Sequence, residues 1–183
     1  MKKDTREILL DAAVTVFSKN PGAPISDVAD FANVGRATLY RHFPSRDDLM
    51  RELTLESYRQ MNEATEPVLE RDITGGDLLL DILEAVIPLG DRFFFLLVER
   101  SFESDPEIKA LQKQDEKEWL ELVRHLKAKK VIGREVPDAW VIASLESLIY
   151  SAWEMVHDGY IARREAHKLV YRTLISGLGP EKE

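Results

Sequence analysis

The sequence predicts an all-α fold of about nine helices. Apolar residues recur at intervals of three and four along most of the chain, as they do on one face of a helix. No stretch shows the strict alternation that marks a half-buried strand. Proline, glycine and capping residues divide the chain into segments of helical length. With 183 residues, 44% of them hydrophobic, the chain is long enough to bury a core.

The first two helices are predicted at residues 4–19 and 26–32. Asp4, followed three residues later by Glu7, resembles a capping box at the start of the first helix. The stretch NPGAP then interrupts the chain, because proline and glycine do not continue a helix. The hydroxyl of Ser26 is expected to cap the second helix.

The third helix is predicted at residues 36–42, and Pro44 ends it. Ser45 is expected to cap a longer fourth helix that begins near Arg46 and ends near Pro67. The boundary after residue 45 separates a predicted N-terminal domain, 1–45, from a larger helical domain, 46–183.

Five further helices are predicted in the larger domain. The clearest start is at Asp105 and Pro106, because aspartate caps well and proline suits the first helical turn. Gly159 is expected to end the helix before the last one. The predicted segments are residues 77–87, 91–102, 106–130, 138–157 and 162–177.

Charge is distributed unevenly along the chain. The formal net charge is −8, from 33 acidic residues against 25 Lys plus Arg. Residues 1–51 have eight basic and seven acidic residues, net +1, and the remainder has 17 and 26, net −9. Residues 36–46 contain three arginines, a histidine and a tyrosine but no acid. Such a basic region on an acidic protein indicates an anionic partner bound at one place.

The third helix carries this basic region and has two faces. At about 100° per residue, Leu39 and Phe43 should point into the core. The opposite face presents Ala37, Thr38, Arg41 and His42, with Arg36 and Tyr40 on the flanks. Arginine can contact guanine through two hydrogen bonds, a methyl group can meet a thymine methyl, and hydroxyls and imidazole can hold phosphates. Two short helices joined by a tight turn form a helix-turn-helix, so the pattern predicts a helix that enters the major groove of DNA.

Residues 8–53 resemble the N-terminal domain of the tetracycline-repressor-like (TetR) family of transcriptional regulators. The stretch TLYRHFPSRDDL, residues 38–49, is the most specific part of this resemblance. Beyond residue 53 the chain shares only the general all-α layout of the family and the pattern of its last two helices. The resemblance implies phosphate contacts from Ser26, Thr38, Tyr40, His42 and Arg46, and base contacts from Arg36, Ala37 and Arg41.

The turn before the third helix departs from the pattern of that family. Where Ala-Gly-Val-Ser is usual, this chain has Ala-Asn-Val-Gly at residues 32–35. Asparagine tolerates the left-handed backbone better than other non-glycine residues, and glycine is an acceptable helix cap. The turn is therefore expected to persist, with one hydroxyl fewer for phosphate.

The last two helices are predicted to form the interface of a homodimer. The segment 138–157 is apolar on more than one side, which suggests that more than its own domain covers it. A four-helix interface, also implied by the resemblance, is expected from Ile142, Leu145, Ile149, Val156, Leu169, Val170, Thr173 and Leu174. A central buried helix in a monomer is the alternative.

Aromatic and apolar residues of the larger domain could line a cavity for a small hydrophobic or amphipathic effector. Such residues more often belong simply to the core, which is the alternative. The candidates are Tyr58, Phe95, Phe102, Trp119, Val123, Tyr150 and Trp153.

Other classes of function find less support in the sequence. Glu154 and His157 have the spacing used in di-iron bundles, but the second copy that such a metalloenzyme needs is missing. Neither a cofactor-binding motif nor a catalytic motif is present, and without cysteine there is no thiolate metal site. No apolar run is long enough to cross a membrane, and we expect a cytoplasmic protein. The function expected from the sequence is that of a ligand-responsive repressor, which binds a palindromic DNA operator as a homodimer. The alternative is an all-α interaction module whose basic region binds an acidic protein.

Overall fold

The computed structural model describes residues 4–98, 102 and 104–180, and these form an all-α protein. The all-α prediction is confirmed. The described residues contain one turn of 3-10 helix, Ile87–Leu89, and nine α-helices. These are α1 Thr5–Lys19, α2 Ile25–Phe31, α3 Arg36–His42, α4 Arg46–Leu69, α5 Gly75–Val86, α6 Gly90–Val98, α7 Pro106–Ala128, α8 Asp138–His157 and α9 Arg163–Leu178.

Three of the predicted helix starts are confirmed by hydrogen bonds. Asp4 and Glu7 form a reciprocal capping box at the start of α1. The Asp48 amide donates to Ser45 Oγ at 3.1 Å, and Asp48 Oδ2 accepts from the Ser45 amide. Asp105 Oδ1 accepts from two backbone amides at the start of α7. Local capping chemistry therefore fixes where these helices begin.

The prediction that Ser26 caps α2 is wrong. The helix begins one residue earlier, Pro24 occupies the N-cap position, and no side chain caps it. Proline already has the backbone angles of a cap, φ −66° and ψ 151°, so the helix can start without a hydroxyl.

Several other boundaries differ by one turn or less from the sequence prediction. Helix α5 begins at Gly75, whose φ of 64° only glycine adopts easily, rather than at Asp77. Helix α6 is described to Val98, and Phe102 lies in a turn. The predicted helical residues 99–101 lie outside the described part of the chain. Helix α7 ends at Ala128 because Lys130 takes a left-handed conformation, φ 58°.

The chain divides into two compact units. The first consists of residues 1–60 and 91–108, and the second of residues 61–90 and 109–183. Compactness thus groups α1–α3 with the first part of α4 and with α6. The domain boundary expected after residue 45 stays a prediction.

Each unit has its own apolar core. In the first unit, buried residues of α1, α3 and α4 pack around Val28 and Ala29 of α2. Beside this core, Arg92 of α6 forms an ion pair with Asp11 of α1. In the second unit, α8 and α9 pack together and bury the side chains of Val141, Leu145, Ile149, Val170 and Leu174.

Candidate nucleic-acid interface

The structure gives α3 one buried face and one exposed face. Leu39 is 0% exposed and Phe43 is 1% exposed, so both belong to the core of the first unit. Of the α3 side chains predicted to meet DNA, Thr38 is half-buried and the others are exposed, namely Arg36, Ala37, Tyr40, Arg41 and His42. The division of this helix inferred from the sequence is confirmed.

Backbone hydrogen bonds in the turn before α3 fix the position of α3 relative to α2. Asn33 adopts the left-handed conformation, φ 53°, as its place in the turn predicts. The amide of Val34 donates to the carbonyl of Ala29 at 2.9 Å, and the amide of Thr38 donates to the carbonyl of Gly35 at 2.8 Å. The substituted turn therefore keeps a helix-turn-helix geometry with glycine as the cap of α3.

Two arginines of the exposed face have partners within the first unit. Arg36 Nη2 donates to Asp30 Oδ2 of α2 at 2.8 Å. Arg41 Nη2 donates to Thr38 Oγ1 at 3.0 Å, one helical turn back. Sequence reasoning missed both contacts, although Asp30 lies only six residues before Arg36.

Arg46, predicted as a phosphate contact, has an intramolecular role. Its guanidinium donates to the carbonyl oxygens of Ala23 and Pro21, the latter at 2.6 Å. The same group lies over the Phe17 ring, 4.2 Å from the centroid. Arg46 thus joins the loop after α1 to the start of α4, and its phosphate contact stays a prediction.

Ser26 lies in the first turn of α2 and is half-buried. Its hydroxyl lies 3.5 Å from Asp27 Oδ1, a long and weak contact. The hydroxyl is not used as a helix cap, and its predicted phosphate contact stays a prediction.

The predicted effector-pocket residues are divided between the two units. Tyr58 and Phe95 are buried in the first unit, and Phe102 packs against its core. In the second unit Val123 is 0% exposed. The remaining three, Trp119, Tyr150 and Trp153, are half-buried in the second unit. Whether these seven residues line one cavity stays a prediction.

Helix α8 carries a row of aromatic rings. Trp153 lies 5.8 Å from Tyr150 and 5.5 Å from His157, measured between ring centroids, and the latter pair is stacked. Close packing fixes Trp153, because a Cβ added at Gly90 would come within 2.3 Å of its side chain. Glu146 lies one turn before Tyr150 on the same face of the helix.

Acidic residues of α7 and α8 raise the pKa of Asp115. Desolvation raises the pKa of the Asp115 carboxyl to about 7, although the residue is exposed to solvent at its surface. The carboxylates of Glu118, Glu146 and Glu116 add to this rise in pKa. Clustered negative charge of this kind favours a bound cation.

The predicted dimer residues fall into two groups. Leu145, Ile149, Val170 and Leu174 are at most 3% exposed, so they have no apolar surface left for a partner. Ile142 and Val156 are half-buried, and Leu169 and Thr173 are exposed. On α9, Leu169, Thr173 and Gly177 follow at intervals of four, and a Cβ added at Gly177 would meet nothing within 4 Å. The interface itself stays a prediction.

The described residues contain neither a membrane span nor a metal cluster. None of their helices is long and apolar enough to cross a membrane. Nor do these residues contain a cluster of three or more potential metal ligands. Glu154 forms the predicted di-iron spacing together with His157. Its carboxylate lies 3.5 Å from the Tyr150 hydroxyl, which can donate a hydrogen bond to it.

Comparison with known proteins agrees with this geometry. The model of the family described as bacterial regulatory proteins, tetR family, matches residues 9–53, which include the whole helix-turn-helix. The HTH-type transcriptional repressor LfrR of Mycolicibacterium smegmatis is 29% identical over 181 residues, covering 97% of this chain and 92% of LfrR. The chain is a TetR-like transcriptional regulator.

Solved structures extend the agreement beyond the helix-turn-helix. LfrR from Mycobacterium smegmatis in complex with proflavine has a TM-score of 0.75 and 28% identity, covering 95% of this chain and 96% of that one. KstR2 of Mycobacterium tuberculosis, described as a ketosteroid transcriptional regulator, has a TM-score of 0.74 at 17% identity and covers 99% of this chain and 98% of its own. The second likeness concerns the fold alone.

These likenesses decide between the classes of function that the sequence left open. The chain is a TetR-like DNA-binding helix-turn-helix repressor, and it is not an enzyme.

Proposed function

We propose that this TetR-like chain binds a palindromic DNA operator as a homodimer and releases it when an aromatic cation binds. The main support for DNA binding is the exposed face of α3. Its outward side chains are polar or small, and no acid lies between residues 36 and 46. Such a face can donate to guanine and phosphates without repelling the DNA backbone.

A dimer follows from the number of base contacts that one helix can make. A helix of seven residues offers too few contacts for useful specificity, whereas two copies related by a twofold axis read two half-sites about 34 Å apart. The exposed row of Leu169, Thr173 and Gly177 on α9 supports a close helix–helix contact between two copies. Together with half-buried residues of α8, this row is the candidate interface.

The proposed effector is a planar aromatic cation such as proflavine, with which the similar repressor LfrR has been crystallised. Two features of the second unit support this chemistry. The rings of Tyr150 and Trp153 offer faces for stacking, and aromatic faces attract cations. The carboxylates around Asp115 offer negative charge. A neutral ligand would leave that charge uncompensated.

Selection of duplexes from a random pool tests the DNA part. We expect the purified full chain to enrich an inverted repeat and to bind it as two chains per duplex. Binding should survive an excess of scrambled duplex, since sequence-specific contacts distinguish a repressor from a protein that binds anions in general. Failure to prefer any duplex over the scrambled competitor would contradict the proposal.

The effector part needs a measurement without DNA, because planar cations also bind DNA directly. We expect proflavine to quench the tryptophan fluorescence of the chain saturably, and Asp115→Asn to weaken this binding. Glu121→Gln is the matched control, because Glu121 is an exposed carboxylate of α7 that pairs with Lys117. Equal affinity of both variants would mean that the acidic cluster does not attract the ligand.

A further inference from the structure

An ion pair links the two helices of the helix-turn-helix. Arg36, the first residue of α3, donates from Nη2 to Oδ2 of Asp30, in the last turn of α2, at 2.8 Å. The hydrogen bond to Asp30, followed by its charge, raises the pKa of Arg36 above its ordinary value. Both side chains are well exposed, 62% and 59%, and such exposed pairs contribute little to the stability of a fold. Stability alone therefore does not account for the pair.

The position of Arg36 suits base recognition. Residues at the N-terminal end of a recognition helix are the ones that reach base edges in the major groove. A guanidinium has five N–H donors, and the contact with Asp30 occupies one of them. The donors that remain free of Asp30 are enough for a paired contact with O6 and N7 of guanine.

The aspartate restricts the freedom of a long side chain before DNA arrives. An arginine that must be ordered on binding loses conformational entropy, at a cost of about 0.5–1.5 kcal/mol for each immobilised side chain. Asp30 reduces this loss by holding the guanidinium at the end of α2. In the proposed complex, however, the negative charge of Asp30 would lie close to the DNA and repel every duplex alike.

These two effects have opposite consequences, which makes them separable. Restriction of Arg36 favours only the duplex that offers guanine at the correct place. Repulsion weakens all duplexes, including the wrong ones. The pair therefore trades general affinity for selectivity.

We propose that Asp30 is a positioning residue that orients Arg36 toward a guanine in each half-site of the operator. The inference rests on the proposed DNA-binding function. It goes beyond it by naming a residue outside α3 that determines base specificity without touching a base.

The matched control is Asp27, on the same helix. Asp27 also acts on Arg36 through its charge, but the hydrogen bond to Arg36 comes from Asp30. Asp30→Ala and Asp27→Ala each remove one exposed carboxylate, and only the first removes the hydrogen bond. A difference between the two variants therefore reports on orientation rather than on net charge.

The experiment measures the affinity of the full chain for its selected operator and for every single-base substitution of that operator. We expect Asp30→Ala to lower discrimination at one base pair of each half-site by about 2- to 12-fold, which corresponds to the ordering cost of one side chain. Its affinity for scrambled duplex should rise. Asp27→Ala should show the rise for scrambled duplex but keep the discrimination.

A double-mutant cycle separates positioning from other effects. In an Arg36→Ala background, Asp30→Ala should no longer change discrimination at that base pair. Thermal melting should be similar for all variants because the pair is exposed, and Asp30→Asn serves if the alanine variant melts early. If the wild-type chain enriches an operator and Asp30→Ala discriminates as well as wild type, the inference is wrong. If the wild-type chain enriches no duplex, the proposed function itself fails.

Discussion

Helix α3 and the pair α8–α9 use their side chains in opposite ways. Helix α3 buries Leu39 and leaves polar side chains outside, so its sequence separates the two faces clearly. Helices α8 and α9 bury apolar residues against each other and still leave Leu169 outside at 40% exposure. In α3 an exposed residue is a candidate for function. In α8–α9 an apolar residue can serve the fold, an interface or both.

This difference shows when periodicity identifies a site. A single apolar stripe assigns the remaining residues to the surface, where their chemistry can be interpreted directly. A helix that is apolar on several sides gives no such assignment. Four of the eight predicted interface residues proved to be buried within the chain for this reason.

The largest expected effect on stability comes from removing a core side chain, either next to α3 or in the pair α8–α9. Phe43→Ala should lower the free energy of unfolding by about 3–5 kcal/mol, and Leu145→Ala by about 2–5 kcal/mol, because each leaves a cavity. Chemical denaturation measures both values. A loss under 1 kcal/mol in either variant would mean that the corresponding core is assigned wrongly.

A charged residue on α9 should separate the dimer without unfolding the chain. Leu169→Glu places a charge on the exposed row proposed as the interface and should convert the dimer into monomers in sedimentation or light scattering. Leu69→Glu is the control, because Leu69 is also exposed, 56%, but lies at the end of α4. A dimer that survives Leu169→Glu would place the interface elsewhere.

Arg41→Ala tests the exposed face of α3. We expect a loss of about 1–3 kcal/mol in binding to the selected operator and a relaxed preference at one base position. The hydrogen bond of Arg41 to Thr38 is exposed, so the fold should tolerate the change. Competition binding against single-base variants measures the effect, and full operator affinity in this variant would remove Arg41 from the reading surface.

Arg46→Ala tests whether this arginine serves the fold, the DNA or both. We expect similar weakening for every duplex and a salt slope about one unit flatter, as for a lost phosphate contact. The free energy of unfolding should also fall by about 1–2 kcal/mol, because two carbonyl contacts are lost.

Arg46→Lys separates the two roles of Arg46. Lysine keeps the positive charge but cannot reproduce the two-pronged contact with Pro21 and Ala23. It should restore the salt slope without restoring stability. A salt slope that stays the same in Arg46→Ala would exclude the phosphate contact.

A smaller effect is expected in the pH dependence of stability in the second unit, because solvent screens the charge of the exposed Asp115. The pKa of Asp115 is raised from 3.8 to about 7, so the folded chain holds a proton that the unfolded chain releases between these values. This carboxyl therefore lowers the free energy of unfolding as pH rises from about 4 to 7, and its contribution is constant above pH 7.

Asp115→Asn removes this loss. The melting temperature of the variant relative to wild type should rise across that pH range and then level off. Glu121→Gln removes another exposed carboxylate of the same helix and is the control for the loss of one negative charge. A flat difference for Asp115→Asn would contradict the raised pKa.

Much of this architecture could be predicted from the sequence because local signals determine it. The capping residues Asp4, Ser45 and Asp105 fixed three helix starts, and Leu39 and Phe43 identified the inward face of α3. These signals act over three or four residues, which is the range in which a helix places side chains next to each other.

The contacts that were missed join residues from different elements. Arg46 reaches back to Pro21 and Ala23, and nothing in its immediate neighbourhood indicates this. Arg36 can donate to Asp30 only because the turn at Asn33 brings α2 and α3 together. A charge in the sequence reveals its sign but not its partner, so these roles required the structure.

The spacing of the two half-sites tests the central claim most directly, which is that two copies of α3 read one face of the operator together. The affinity of the full chain is measured for the selected operator and for the same operator with about five base pairs inserted between its halves. Half a helical turn moves the second half-site to the opposite face of the duplex, so we predict that affinity falls to the level of scrambled DNA. Unchanged affinity for the lengthened operator would contradict the account.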